Sequence, residues 1–252
     1  MKTASEKRTR EGRASDSHAG ELAKIRRRYS VALVGIVLYI VLDAVAQLLP
    51  PHYSPISQAE SDLAVGKFGY IMTVNFLNRG LLSLEFLLAF MGTIRLNDGR
   101  ARNYRGGLLL LGTWSMGAFL LAVFPTDVPP TPVSWHGAIH LIVAVIAFLG
   151  GAFGALMMSL RMESDRSLRG VRQIALPVSV VVVVLCILDL LGGSIAHHAA
   201  ANYGGLIERL FLGSVLLWIA VVSAFMLRKG QLPPQSSGIH LASASKASSY
   251  WR

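Results

Sequence analysis

The chain has 252 residues, of which 53% are hydrophobic and only 15% are charged, and it carries a formal net charge of +10. This composition is typical of a membrane protein and excludes an ordinary water-soluble domain. The basic residues are concentrated in the two terminal segments and in two of the connections and are not spread over one surface, so we expect no nucleic-acid partner.

Six apolar segments, each long enough to cross a bilayer, occupy most of the chain. In chain order they are Ser30–Leu49, Gly69–Ile94, Gly107–Phe124, Trp135–Leu160, Ile174–Ala196 and Gly205–Leu227. A hydrocarbon core of about 30 Å is crossed by roughly 20 helical residues. Lipid offers the backbone no hydrogen-bond partner, which favours helices over open strands. The sequence therefore predicts an all-α fold, a polytopic transmembrane bundle of six helices.

The positions of Lys and Arg predict the orientation of this bundle. Of the 24 basic residues, all except Lys67, Arg79 and Arg209 precede the first segment, lie around the second and fourth connections, or follow the last segment. Such residues face the cytoplasm by the positive-inside rule. We predict a multi-pass protein of the cell (plasma) membrane, surrounded by the lipid bilayer, with both the N- and C-termini cytoplasmic.

Composition also divides the chain into three regions. Residues 1–28 form a predicted basic, disordered cytoplasmic tail, residues 29–229 the six-helix transmembrane domain, and residues 230–252 a second disordered cytoplasmic tail. The two tails have too few apolar residues to form a packed core. In the first outer loop, Ser57 and Glu60 have the spacing of a capping box, which predicts a short interfacial helix from about Gln58.

Polar residues gather in or beside five of the six segments, at the ends opposite the basic connections. Charged groups at bilayer depth are costly and usually mark a site. We interpret these residues as the lining of a cavity open to the outer face, which binds a lipid headgroup or a small ligand in a sensor or transporter. The predicted ligand-binding residues are Arg79, Asp127, Asp189, Glu208 and Arg209.

A purely structural interpretation competes with this one. In it Arg79 pairs with Asp43 or Asp189, Arg209 pairs with an acid of an outer loop, and these ion pairs only fix the helix packing.

Histidines suggest two further functions. His136 and His140 are one helical turn apart, a spacing suited to Zn²⁺, and His197, Asp127 or Asp189 could supply a third ligand. A metal-dependent membrane hydrolase is therefore one alternative, although the pair lacks the adjacent Glu of the zincin motif. A haem electron carrier is a second alternative, because histidines on different helices can ligate iron.

The chain order gives a geometric prediction for the whole site. Segments four and six both begin at the predicted outer surface, and segment five ends there. We therefore expect His136, His140, Asp127 and Glu208 to converge, with Arg79 or Asp189 forming the floor of the cavity.

Several short motifs also resemble a known family. They are His52-Tyr53-Ser54-x-Ile56-Ser57 with Asp62-Leu63, then Pro125-Thr126-Asp127, His136-x-x-x-His140, and Glu208-Arg209 followed by Trp218. Together they resemble the prokaryotic six-helix integral membrane family known as domain of unknown function nine-nine-eight, over roughly residues 30–228. The resemblance implies six membrane helices with polar signature residues on the outer face, and it implies no activity.

Overall fold

The computed structural model describes residues 4–49, 52–96, 104–128, 131–165, 167–195 and 203–229. Within these residues the protein is all-α. Its six long helices are α1 (Ala4–Gln47), α2 (Gly69–Leu96), α3 (Arg105–Val123), α4 (Trp135–Arg161), α5 (Arg169–Ile195) and α6 (Gly204–Lys229). All six contain a stretch long and apolar enough to cross a membrane. The predicted six-helix transmembrane bundle is confirmed.

Successive helices run in opposite directions, so the bundle has two chemically different ends. The polar end holds residues 52–68 and the connection before α4, together with the first turns of α2, α4 and α6. The basic end holds the start of α3 and the last turns of α2, α4 and α6, with their Arg and Lys residues. Which end faces the cytoplasm stays a prediction.

Helix α1 extends into residues 1–28, for which we predicted a disordered tail, and the division of the chain into three regions stays a prediction. Helix α1 begins at Ala4 and continues without interruption into the membrane span. Its first part is rich in Ala, Glu, Lys and Arg, which are strong helix formers. A helix that the span has already nucleated extends without a new nucleation cost. The other predicted tail, residues 230–252, lies outside the described residues.

Buried aromatic rings fill the centre of the bundle. Phe86 and Trp218 meet edge to face with their ring centroids 5.5 Å apart. The indole N–H of Trp218 donates to the Ser159 hydroxyl at 2.8 Å, and that of Trp114 donates to the Ser83 hydroxyl at 3.1 Å. Because each buried indole has an acceptor, the aromatic core carries no unsatisfied N–H at these positions.

Helix α4 packs closely against α3 through two glycines. A Cβ atom on Gly150 would lie 2.5 Å from the carbonyl oxygen of Leu110, and one on Gly154 would lie 2.9 Å from the Leu111 nitrogen. Any side chain at these positions would therefore separate the two backbones. This contact holds the second half of α4 against the first half of α3.

The first connection of the polar end folds into the bundle. It contains a short 3-10 helix, Glu60–Ala64, whose N-cap residue is Ala59 and has no side-chain capping bond. The predicted capping box of Ser57 and Glu60 is therefore wrong. The Glu60 side chain is buried in the bundle, where it accepts a hydrogen bond from Tyr39 of α1.

Candidate functional site

A cavity of about 610 Å³ lies at the polar end, bordered by α2, α3, α4, α5, α6 and the first connection. Its wall has a polar part and an apolar part. The polar residues are Ser57, Ser61, Asp62, Arg79, Thr126, His140, Asp189 and Glu208, and the larger apolar ones are Phe76, Leu121, Leu141, Phe148, Leu188, Leu190 and Ile207.

Arg79 of α2 is the cation of this cavity, and it is only 1% exposed. Its guanidinium carbon lies 4.8 Å from the ring centroid of Trp114 and 5.3 Å from that of Phe76. The Nε and Nη2 atoms are buried and have no hydrogen-bond partner among the described residues. A buried guanidinium without hydrogen-bond acceptors is costly, and aromatic faces offset only about 0.5–2 kcal/mol of that cost. Arg79 therefore lines the cavity and has two buried N–H-bearing atoms without an acceptor among the described residues.

Three carboxyl groups line the same cavity, and each comes from a different element. Asp62 belongs to the 3-10 helix, and its burial raises the pKa of its carboxyl. Glu208 of α6 accepts a hydrogen bond through Oε2 from the backbone N–H of Glu60 at 3.1 Å. Asp189 of α5 has no hydrogen bond or ion pair within the described part of the chain, and it interacts electrostatically with Glu208. The lining of this cavity thus contains three carboxyl groups and one guanidinium group.

His140 of α4 is buried at the wall of the cavity. Its Nδ1 lies 2.7 Å from the carbonyl oxygen of Phe124, and because a carbonyl only accepts, Nδ1–H is the donor. In the neutral ring Nε2 is then the unprotonated nitrogen and can accept a hydrogen bond. His140 can therefore offer an acceptor beside the Arg79 donors.

Two residues predicted to converge here lie outside the cavity lining. Asp127 accepts hydrogen bonds from the backbone N–H and the hydroxyl of Ser134, at 2.6 and 3.0 Å. Ser134 in turn caps α4 by accepting from the Gly137 N–H. His136 is partly exposed and packs near Phe124. The structure thus brings together His140, Glu208, Arg79 and Asp189 at one cavity, and it does not place His136 or Asp127 with them.

Arg209 of α6 lines a second cavity of about 370 Å³ between α1 and α6, together with Asp43 and Glu60. Its Nη2 atom lies 3.7 Å from Oδ1 of Asp43 and 2.6 Å from the Tyr53 hydroxyl. The guanidinium also donates to the Gln58 carbonyl at 3.2 Å. Arg209 therefore pairs with an acid of α1 and not with a loop acid. For Arg79 the described residues provide no ion pair with Asp43 or Asp189.

Glu60 is buried in the bundle and does not form the capping box that the sequence predicted. It is 1% exposed, and burial, followed by the nearby Asp43 carboxylate, raises its pKa from the ordinary 4.5 to about 7, while Arg79 and Tyr39 oppose the rise. A signal for this position existed in α1, where Tyr39 and Asp43 are one turn apart near the polar end. Two polar groups on one helix face require a polar partner from another element.

The predicted metal ligands do not form a complete set in the described part of the chain. There, no group of three or more His, Cys, Asp or Glu side chains could hold a metal ion. His197, the proposed third ligand, lies outside the described residues. His140 lines the cavity and His136 does not. The zinc hydrolase and the haem carrier therefore stay predictions.

The helices define a polytopic helical membrane protein, and a cavity lies at one end of its bundle. The chain belongs to the family described as "Protein of unknown function (DUF998)", whose model matches residues 33–224. The resemblance seen in the sequence motifs is thereby confirmed. No curated protein and no solved structure matches the chain.

Proposed function

We propose that this protein binds a phospholipid by its headgroup in the cavity lined by Arg79, as a sensor or transporter of that lipid. The observation that carries the proposal is the buried Arg79 guanidinium, whose Nε and Nη2 atoms have no acceptor among the described residues. A guanidinium presents N–H groups in a planar fork that matches the oxygens of a phosphate. An anionic headgroup would supply the acceptors that Arg79 lacks.

The apolar part of the wall favours an amphiphile over a fully polar ligand. Phe76, Leu121 and Phe148 line the cavity together with Arg79. Ligand pockets in proteins typically enclose about 300–1,000 Å³ and combine apolar walls with a few polar groups. The cavity, at about 610 Å³, suits a headgroup and the first part of its acyl chains.

The position of the cavity favours a ligand that comes from the bilayer. Leu141 of α4 and Leu188 of α5 line the cavity, yet they are 65% and 48% exposed. Both belong to helices long and apolar enough to span a membrane, so we expect their exposed faces to contact lipid. This position favours entry of a lipid between α4 and α5.

Binding of defined phospholipids to the purified full-length protein tests this proposal. Phosphatidylethanolamine and phosphatidylglycerol are supplied separately in detergent, and bound lipid is measured by native mass spectrometry. We expect Arg79→Gln to weaken binding by about tenfold or more, because a charge-assisted hydrogen bond contributes about 1.5–3 kcal/mol. Arg79→Lys, which keeps the charge but loses the fork, should fall between Arg79→Gln and the wild type.

The control is Arg105→Gln, which removes an exposed arginine at the basic end. It should bind lipid like the wild type. Unchanged binding by Arg79→Gln, or an equal loss in Arg105→Gln, would contradict the proposal.

A further inference from the structure

We infer that the headgroup bound here is zwitterionic, with a phosphate at Arg79 and a primary ammonium at Asp189 and Glu208. This inference rests on the proposed function, since it assigns a chemical class to the ligand of the same cavity. Phosphatidylethanolamine has this chemistry in a lipid, and phosphoethanolamine has it in a soluble molecule.

The balance of charge in the cavity is the first argument. Asp62, Asp189 and Glu208 line the cavity against the single guanidinium of Arg79. A headgroup carrying only a phosphate would leave these carboxyl groups without a cation, and each one that is ionised would repel the phosphate. This repulsion is stronger in a cavity of low dielectric than in water. A ligand that carries its own cation avoids this repulsion.

The arrangement of free donors and acceptors is the second argument. Arg79 lies on α2, whereas Asp189 and Glu208 lie on α5 and α6, so the two signs of charge come from different walls. Asp189 has no partner among the described residues, and Glu208 uses only Oε2, for the N–H of Glu60. An ammonium has three N–H donors and no acceptor, which matches these free carboxylate oxygens.

The neighbours of the two acids decide which cation fits. Leu188, Leu190 and Ile207 flank Asp189 and Glu208 along their helices and line the cavity with them. Quaternary ammonium groups are recognised by aromatic cages, and these flanking side chains are aliphatic. A divalent metal would need at least three suitable ligands together, and the described residues contain no such group. A primary ammonium that donates hydrogen bonds fits best.

Two lipids that differ only at the amine of the headgroup test the inference. N-acetyl-phosphatidylethanolamine keeps the phosphate and the chains of phosphatidylethanolamine but has no ammonium. We expect the full-length wild type to bind phosphatidylethanolamine about tenfold more tightly, the size of one charge-assisted hydrogen bond. In Asp189→Asn and Glu208→Gln this preference should shrink to about twofold or less, while binding of the N-acetyl lipid stays the same or increases.

The matched control is Glu163→Gln, which removes an exposed acid at the basic end that pairs with Arg172 at 3.0 Å. This variant should keep the wild-type preference. Both acid variants are expected to fold. Glu208→Gln retains a side-chain oxygen that can accept the hydrogen bond from the Glu60 N–H, and Asp189→Asn disturbs no described hydrogen bond. If one variant does not fold, the other still tests the inference.

The outcomes separate this inference from the proposed function. Equal binding of the two lipids by the wild type, or an unchanged preference in folded Asp189→Asn and Glu208→Gln, would overturn the zwitterionic headgroup but leave Arg79-dependent lipid binding intact. Absence of binding to any phospholipid would overturn the proposed function itself. Free phosphoethanolamine is then added to the protein with bound phosphatidylethanolamine. If it displaces the lipid at a similar concentration, the natural ligand is a soluble molecule. If it does not displace tightly bound phosphatidylethanolamine, the natural ligand is the lipid.

Discussion

The Tyr39 hydroxyl lies 2.6 Å from both carboxylate oxygens of Glu60 and joins α1 to the connection that closes the polar end. The backbone N–H of the same glutamate donates to Glu208 of α6. One residue of the connection is therefore held between two helices. Because this segment also contributes Asp62 to the cavity wall, the anchoring of Glu60 determines the shape of the site.

The first prediction concerns this anchor. Tyr39→Phe removes the hydroxyl that donates to a buried carboxylate and should lower the free energy of unfolding by about 1–3 kcal/mol. Thermal unfolding in detergent, followed by circular dichroism, measures the loss. Tyr70→Phe is the control, because Tyr70 is 64% exposed, and it should leave stability unchanged. Equal stability of Tyr39→Phe and wild type would show that the hydrogen bond contributes nothing.

The second prediction follows from the pKa of Glu60, which rises from 4.5 to about 7 through burial and the nearby Asp43. Glu60 therefore binds its proton more tightly in the folded protein than in the unfolded one. Between pH 4.5 and 7 the folded state holds more protons, so stability falls as the pH rises through this window and then levels off. The full effect is about 3 kcal/mol.

Thermal unfolding of the wild type and of Glu60→Gln, measured from pH 5 to pH 8, checks this pH dependence. The charged and titratable side chains that act on Glu60 come from three helices: Tyr39, Asp43, Arg79, Glu208 and Arg209. Gln keeps the shape of the side chain but does not titrate. We expect the unfolding temperature of Glu60→Gln to fall less over this range than that of the wild type, because the contribution of Glu60 is removed while other buried carboxyl groups still titrate. A slope equal to that of the wild type would contradict the assignment.

The sequence predicted the helices better than their polar ends. The start of α2 and the start of α4 agree with the predicted segments, because long apolar runs mark spans directly. Helix α5 begins at Arg169 and not at Ile174, because a helix can extend through basic residues beyond the apolar run. Hydropathy identifies the part of a helix that lies in lipid and is insensitive to its polar extension.

Part of the candidate site could also be predicted from the sequence. The cost of a buried charge placed Arg79, Asp189 and Glu208 toward the interior of the protein, and all three line one cavity. The pairing of Arg209 with Asp43 depends on α1 packing against α6, a tertiary contact that no local pattern encodes. The spacing of Ser57 and Glu60 predicted a capping box. In the structure the Glu60 side chain is instead buried in the bundle beside Tyr39.

The third prediction separates a functional Arg79 from a structural one. Buried N–H groups without an acceptor lower stability, and the attraction between Arg79 and Glu60 offsets part of that cost. Arg79→Met should therefore change the stability of the lipid-free protein by less than about 3 kcal/mol, while lipid binding is lost. Unfolding in lipid-free detergent and lipid binding are measured on the same preparations. A loss of about 3 kcal/mol or more without lipid would instead identify Arg79 as a structural residue.

The fourth prediction assigns Asp127 a structural role. Asp127→Ala removes the acceptor of the Ser134 N–H and hydroxyl, and it should lower stability by about 1 kcal/mol, as loss of a helix cap does. The preference between phosphatidylethanolamine and its N-acetyl form should not change, because Asp127 does not line the cavity. A changed lipid preference in the folded variant would show that Asp127 contributes to ligand binding.

The fifth prediction tests the entry of lipid between α4 and α5. Leu188 lines the cavity and is 48% exposed, whereas Ile187 beside it is 45% exposed and does not line the cavity. If lipid enters beside Leu188, Leu188→Trp should slow the uptake of a photoactivatable phosphatidylethanolamine from nanodiscs, because the larger side chain occupies part of that route. Ile187→Trp adds the same bulk to the neighbouring lipid-facing position and should take up lipid like the wild type. Equal labelling of the two variants would show that lipid reaches the cavity by another route.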